Sequence, residues 1–196
     1  TAGFVQTSKG GLGFDRISEI NNIAPLSGNL QTILPGDFDG DGDIDFIGTT
    51  LLSQDAPVPN ADETQLSLHI ARGDGTFGAN LTRDIPGQLQ KIAAGDINGD
   101  GLDDLAGIVV FRNPTTGLMT GRQLITMIDM GDGDFRLQDA INLSTSEDPR
   151  ALAIGDADND GDGDVFYMAQ TTDFEVQLAI YNNDGAGNLA LADSDS

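Results

Sequence analysis

The sequence predicts an all-β protein built from repeats, on three observations. An acidic nonapeptide of the form Asp-x-(Asp/Asn)-x-Asp-Gly-x-x-Asp occurs at 37–45, 96–104 and 156–164, at a nearly constant interval. Short apolar segments and glycine-rich turns surround each copy, which is the pattern of strands joined by hairpins. Helical periodicity is absent. Because similar segments at a fixed interval indicate a repeat architecture, the three nonapeptides are named acidic loops 1, 2 and 3.

The chain begins with half a repeat. Residues 3–7 and 13–20 predict two strands around the glycine-rich turn that contains Gly10, Gly11 and Gly13. Three full repeats follow, so the single domain 1–196 divides into 1–22, 23–84, 85–144 and 145–196. Together these segments predict roughly fourteen strands.

Each full repeat predicts four strands, A to D, with the acidic loop between A and B. Strand A ends in small and apolar residues before the loop, at 33–36, 92–95 and 152–155. Strand B follows the loop, at 44–47, 105–110 and 165–168. Strand C covers 66–71, 124–130 and 177–181.

A tight turn between strands C and D is indicated by glycine beside aspartate, at 73–75, 131–133 and 183–185. Strand D then opens at Phe77, Phe135 and Leu189. Three isoleucines stand at the same distance before the aspartate of the turn, which predicts equivalent core positions: Ile70, Ile128 and Ile180.

Composition excludes several classes of partner and site. The net charge is -23, and Lys9 and Lys91 are the only lysines, so nucleic acid and anionic membrane surfaces are excluded as partners. There is no cysteine, hence no disulfide and no thiolate metal site. No apolar run is long enough to insert into a membrane. The chain starts at Thr1 without a signal peptide, which predicts a processed chain or part of a longer one.

The acidic loops have the chemistry of calcium sites. Calcium takes six to eight oxygen ligands at about 2.3–2.6 Å, and a short loop supplies them when alternate side chains point inward around a glycine turn. Positions 1, 3, 5 and 9 supply the side-chain oxygens: Asp37, Asp39, Asp41 and Asp45 in loop 1, Asp96, Asn98, Asp100 and Asp104 in loop 2, and Asp156, Asp158, Asp160 and Asp164 in loop 3. Position 6 is always glycine. Position 7 varies, as expected of a ligand that binds through its backbone carbonyl: Asp43, Leu102 and Asp162. Three calcium sites are predicted.

The loops have two other interpretations. An EF-hand needs glutamate at position 12, where this chain has Gly48, Gly107 and Tyr167, and it needs flanking helices where strands are predicted here. Plain Asp-Gly turns are the second alternative. Three copies that all keep four oxygen-bearing positions favour metal loops, because clustered carboxylates repel one another without a cation.

The loops, together with the Gly-Asp-Gly-x-Phe turns, resemble FG-GAP/VCBS repeats, the units of integrin α-subunit β-propellers and of many bacterial surface proteins. The resemblance extends from Thr1 to about Ala192. It implies four-stranded propeller blades with the calcium loop joining strands A and B on one face. Three and a half blades are fewer than the four to eight that close a ring. The resemblance therefore implies a fragment of a larger propeller, a neighbouring subunit that completes it, or an open array.

The function expected from these features is a non-enzymatic, calcium-binding propeller module, extracellular or at the cell surface, with the periplasm as an alternative. It would serve adhesion, surface assembly, or protein or glycan binding. The rivals are an accessory propeller of a polysaccharide-degrading enzyme and a propeller lyase or hydrolase. Both are disfavoured because the chain has no tryptophan and only two tyrosines, Tyr167 and Tyr181, to stack against sugars. The single histidine, His69, has no partners for a catalytic triad or a metal cluster and is expected to be a structural strand residue. The expected partner surface is the end opposite the acidic loops, at 21–29, 51–64, 112–122 and 142–148.

Overall fold

A computed structural model describes residues 6–8, 14–16, 29–51, 63–131, 133–138 and 140–195. These residues form fifteen β-strands and no helix. The all-β prediction is therefore confirmed for the described part of the chain. No helix in that part is long and apolar enough to cross a membrane.

The strands form one hairpin and three larger antiparallel sheets in which strand order follows chain order. The hairpin pairs β1 (Gln6–Ser8) with β2 (Phe14–Arg16). Sheet 1 contains β3 (Asn29–Gly36), β4 (Asp45–Leu51), β5 (Thr64–Ala71) and β6 (Phe77–Ile85). Sheet 2 contains β7 (Gln88–Gly95), β8 (Asp104–Arg112), β9 (Met119–Asp129) and β10 (Phe135–Leu137), and the short β11 (Ile141–Asn142) also pairs with β9. Sheet 3 contains β12 (Asp148–Gly155), β13 (Asp164–Gln170), β14 (Val176–Asn183) and β15 (Leu189–Asp195).

The four strands predicted for each repeat are confirmed, and the predicted first residues of strand D are those of β6, β10 and β15. The half repeat is described only at 6–8 and 14–16, where the two predicted strands pair. The rest of that prediction lies outside the described residues, as do 21–28 and 52–62 of the predicted partner surface.

The core lies between the sheets, which pack face to face with sheet 2 in the middle. Every residue of β8 from Asp104 to Val110 is buried, because alternate side chains face opposite neighbours. Leu105 and Val109 join the apolar cluster shared with sheet 1. Ala106 and Ile108 join the cluster shared with sheet 3. A strand covered on both faces is continuously apolar, which is the sequence pattern of β8.

The third hairpin turn differs from its prediction. In the first two repeats the turn has two glycines with positive φ, Gly73 with Gly75 and Gly131 with Gly133; in the third, the pair is Gly185 and Gly187. The turn predicted at 183–185 therefore lies two residues too early. Asn183-Asp184-Gly185 has turn-forming residues, but the hairpin requires a second glycine in the left-handed region.

The strand register shows the same shift in core positions. Tyr181 pairs with Val165, as Met127 pairs with Leu105 in sheet 2. Ile180 is therefore not equivalent to Ile70 and Ile128, and the predicted in-phase core position is wrong in the third repeat.

The connection predicted as irregular at 112–122 is shorter than predicted, because both of its ends belong to strands. β8 continues to Arg112 and β9 begins at Met119, so the connection is a short turn at 113–118. The turn is closed by hydrogen bonds from the Asn113 N–H to the Leu118 carbonyl and from the Gly117 N–H to the Asn113 carbonyl. Because the strands are antiparallel, this turn lies at the end of sheet 2 opposite acidic loop 2.

Candidate metal centre

Each acidic loop joins the first two strands of a sheet and curls because two of its positions adopt positive φ. Position 6 is glycine in all three loops, as predicted, with φ of 85°, 90° and 101° at Gly42, Gly101 and Gly161. Position 4 also lies in the left-handed region, at Gly40, Gly99 and Asn159. Glycine, and to a lesser degree asparagine, tolerates this conformation. Position 4 was not predicted from the sequence, although its restriction to glycine and asparagine is a signal for this conformation.

The aspartate at position 1 holds the curl through its carboxylate. Asp37 accepts hydrogen bonds from the Gly40 N–H at 2.8 Å and from the Gly42 N–H at 3.0 Å, one on each oxygen. Asp96 repeats this arrangement in loop 2, with Gly99 at 2.7 Å and Gly101 at 2.9 Å. Side chains of aspartate commonly bond to backbone groups a few residues on, and here they stabilise the loop locally.

The aspartate at position 9 is buried and clamps the loop to the third strand of its sheet. Asp45 accepts a hydrogen bond from the Phe38 N–H at 2.9 Å on one oxygen and from the Ala71 N–H at 2.7 Å on the other. Asp104 and Asp164 do the same, and the third-strand donors are the N–H groups of Asp129 and Asn183. Only a ligand role is predicted for position 9 from the sequence. The clamp has no local signal, because the third-strand donor lies 26, 25 and 19 residues further along the chain in loops 1, 2 and 3.

Three of the four predicted acidic side chains converge in loops 1 and 3. Carboxylate oxygens of Asp37, Asp39 and Asp45 lie within 4.8 Å of one another, and so do those of Asp156, Asp158 and Asp164. Two ligands on opposite sides of one calcium ion are about 5 Å apart, so each group matches the spacing around a single ion.

Position 5 lies outside these groups. The Asp41 carboxylate accepts a hydrogen bond from the Asp43 N–H at 2.8 Å, which curls the backbone at position 7. In loop 2, Asn98 stands at position 3, and its side-chain amide donates to the Asp100 carboxylate at 2.9 Å. Loop 2 therefore has one carboxylate fewer among its predicted ligands than the other two loops.

Some of the carboxylates in and beside the loops have raised pKa values, among them Asp104 and Asp162. Burial raises the pKa of Asp104 to about 6. The hydrogen bonds that its carboxylate accepts lower this pKa, and the charge of Asp100 raises it further. Desolvation, followed by the charges of Asp160 and Asp164, raises the pKa of Asp162 to about 6. One oxygen of Asp162 is buried with no hydrogen-bond partner. A bound cation would offset both the desolvation and the repulsion, because an opposite charge favours the ionised form.

The loops of adjacent sheets are bonded to one another. The Asp103 N–H donates to the Asp37 carbonyl, and the Asp37 N–H donates to the Asp103 carboxylate, both at 2.9 Å. The Gly163 N–H of loop 3 donates to the Ile97 carbonyl of loop 2 at 3.0 Å. All three acidic loops therefore lie at one end of the stacked sheets.

Position 2 of the first two loops packs into the sheet stack. Phe38 and Ile97 are fully buried, in the first and second intersheet clusters respectively. The Phe38 ring meets Phe135 of sheet 2 edge to face, with centroids 6.0 Å apart. These anchors were missed by the sequence analysis, although a large apolar residue inside an acidic loop was the signal.

His69 is a packed residue of the third strand. It is fully buried, stacks on Phe46 with ring centroids 4.4 Å apart, and has its pKa lowered by burial. No acidic group contributes to that pKa shift.

No model of a known protein family matches the chain. No curated protein matches it either.

Proposed function

We propose that the acidic loops bind calcium and that the protein is a calcium-stabilised β-repeat module. The observation that carries the proposal is the convergence of Asp37, Asp39 and Asp45, repeated by the equivalent aspartates of loop 3. The donors are all oxygens, which suit calcium and other hard cations rather than zinc or copper. Desolvation, reinforced by the charges of neighbouring aspartates, raises the pKa values of Asp39, Asp45 and Asp162, and a bound cation would offset both effects.

The same proposal extends to a propeller arrangement of the sheets. Its support is the series of three four-stranded antiparallel sheets that stack face to face in chain order. The first strands are neighbours across the stack, since β7 contacts both β3 and β12. In a propeller the sheets stand radially around a central channel, so the strands nearest the channel are neighbours. The resemblance of the loops and turns to FG-GAP/VCBS repeats favours the same interpretation.

The module acts in adhesion or assembly outside the cell, and binds protein or glycan without catalysis. Extracellular calcium modules work at dissociation constants on the order of 10⁻⁴–10⁻³ M, which loops of this kind would match. The partner surface is the end of the sheets opposite the acidic loops, where the turn at 113–118 lies. The acidic end is occupied by metal in the working state, so it is the less suitable surface for direct contact.

Calcium binding is tested by titrating metal-free protein with calcium in a calorimeter. We expect saturable binding at up to three sites, with dissociation constants on the order of 10⁻⁴–10⁻³ M. Asp173→Ala is the matched control, because it removes one carboxylate from an exposed turn outside the acidic loops and should leave the isotherm unchanged. Absence of heat and of saturation with both proteins would refute the proposal.

Asp100→Ala and Asp103→Ala separate a ligand from a structural neighbour in the same loop. Asp100→Ala removes the predicted ligand at position 5, so the stabilisation by calcium should shrink. Asp103→Ala removes the acceptor of the Asp37 N–H, so stability should fall by about 1 kcal/mol both in calcium and in EGTA.

Urea unfolding of both variants with and without calcium measures the difference. An equal loss of the calcium-dependent part in the two variants would show that the assignment of positions 5 and 8 is wrong.

A further inference from the structure

Acidic loop 2 contains the pair Asn98-Gly99, and no other asparagine in the chain precedes a glycine. Asparagine is a thermolabile residue, because the backbone nitrogen of the following residue can attack its side-chain carbonyl carbon. Glycine in that following position favours the attack, since it has no Cβ to obstruct the approach and its backbone is the least restricted. The sequence therefore favours loss of a side-chain amide at Asn98 more than at any other asparagine.

The fold places this pair where water reaches it. Gly99 is exposed and Asn98 is half-buried. Gly99 also has a φ of 74°, in the left-handed region that curls the loop. Hydrolysis of the Asn98 amide needs water at the side chain, and the surface position of the loop supplies it.

Hydrogen bonds arrange neighbouring groups around the Asn98 amide. The Gly99 N–H donates to the Asp96 carboxylate at 2.7 Å, so a proton acceptor already faces the attacking nitrogen. The Asp100 N–H donates to the Asn98 side-chain oxygen at 3.0 Å, where negative charge develops during the attack. The Asn98 side-chain nitrogen donates to the Asp100 carboxylate at 2.9 Å, which fixes the orientation of the amide.

Removal of this amide would give loop 2 the chemistry of loop 1. Positions 3 to 6 are Asp-Gly-Asp-Gly at 39–42 and Asn-Gly-Asp-Gly at 98–101. In loops 1 and 3 the carboxylates at position 3, Asp39 and Asp158, belong to the converging groups. An aspartate at position 98 would therefore supply the carboxylate that loop 2 lacks.

We propose that Asn98 deamidates spontaneously and that cation binding to acidic loop 2 controls the rate. The inference rests on the calcium proposal above and adds to it a modification that changes the charge of one site. Asn98 and Asp96 are both predicted ligands, so the attacked amide and the proton acceptor are engaged with the ion in the calcium-bound loop. The reaction therefore proceeds through the metal-free loop.

The reaction needs no reagent other than water. The Gly99 nitrogen gives up its proton and bonds to Cγ of Asn98, while the bond from Cγ to Nδ2 breaks and the amide nitrogen leaves with the proton as ammonia. Water then opens the cyclic succinimide. Cleavage of the new bond to Cγ gives aspartate, which completes the carboxylates of loop 2. Cleavage at the backbone carbonyl carbon gives isoaspartate, which lengthens the loop backbone and distorts the site.

Peptide mass mapping after incubation tests the proposal. Trypsin releases residues 92–112, in which Asn98 is the only residue with a side-chain amide, so a mass gain from replacing –NH2 by –OH belongs to Asn98. We expect conversion to be slower in 10 mM calcium than in EGTA by about tenfold or more, because this concentration exceeds dissociation constants on the order of 10⁻⁴–10⁻³ M by about that factor. Magnesium at 10 mM and sodium chloride at matched ionic strength give the background from charge screening.

Two variants at position 98 are the matched controls. Asn98→Gln keeps an amide but would have to form a larger and less favoured ring, so the mass of its peptide should stay constant in EGTA. Asn98→Asp supplies the aspartyl product directly. We expect calorimetry to show one site that binds calcium about tenfold more tightly in Asn98→Asp than in the parent, because the affinity of calcium loops depends on the number of charged ligands.

The outcomes separate this modification from calcium binding itself. An unchanged mass of 92–112 in EGTA, under conditions in which urea-unfolded protein converts, would overturn the proposal, since the fold would then protect Asn98. Equal rates in EGTA and in calcium would overturn control by the cation. Calorimetry on the same samples distinguishes the cause, because equal rates with saturable binding refute only the control of deamidation, whereas equal rates without binding refute the calcium proposal as well.

Discussion

Addition of 10 mM calcium to EGTA-treated protein is expected to raise the melting temperature by roughly 10 °C or more. A ligand that binds only the folded state stabilises it by RT ln(1 + [L]/Kd), about 2.7 kcal/mol per site at a hundredfold excess over Kd. Three sites with dissociation constants on the order of 10⁻⁴–10⁻³ M would together contribute several kcal/mol. For a chain of this size each kcal/mol shifts the melting temperature by about 2–4 °C.

The control for this experiment must separate specific binding from charge screening. A chain with a net charge of -23 gains some stability from any added cation, because salt weakens self-repulsion. Sodium chloride at matched ionic strength and magnesium at 10 mM give that background. A melting temperature in calcium no higher than in these two solutions would contradict the metal assignment.

Asp104→Ala is expected to lower the free energy of unfolding by about 3–5 kcal/mol, in EGTA as well as in calcium. The Asp104 carboxylate is fully buried and accepts hydrogen bonds from the N–H groups of Ile97, Asn98 and Asp129 at 2.9, 3.2 and 2.7 Å. Alanine leaves these donors without their partner, and an unsatisfied buried donor costs about 1–3 kcal/mol. The loss persists without calcium because the clamp is part of the fold itself.

Asp104→Asn is the matched variant for the buried clamp. Asparagine keeps the shape and one acceptor oxygen but removes the charge, so it should weaken calcium binding while costing less stability in EGTA than alanine does. Burial raises the pKa of Asp104 to about 6, so the ionised carboxylate is less favourable in the metal-free fold than in the unfolded chain. Urea unfolding in EGTA and in calcium measures both variants. If Asp104→Ala were silent in EGTA, position 9 would act only as a ligand and the clamp would be unimportant.

Local patterns in the sequence determined the class of fold and the elements of each repeat. The predicted starts of strand D at Phe77, Phe135 and Leu189 are the observed starts of β6, β10 and β15. The positions that could hold a cation were also readable, because the spacing of carboxylates around a glycine is a local property of the chain. Turn conformation and strand alternation depend on residues that are close in sequence, so each repeat contains their signal.

The tertiary structure decided which of these residues share a contact. Asp104 bonds to the Asp129 N–H 25 residues away, and Asp37 bonds to Asp103 across two sheets. The turn of the third repeat had two plausible positions, and the pairing of β14 with β15 selects the one with glycines at 185 and 187. The exposure of Leu178 and the burial of its counterpart Leu124 follow from the position of each sheet in the stack. Such contacts join residues that are far apart in the chain, and their energy depends on how whole sheets pack, which no short segment of sequence encodes.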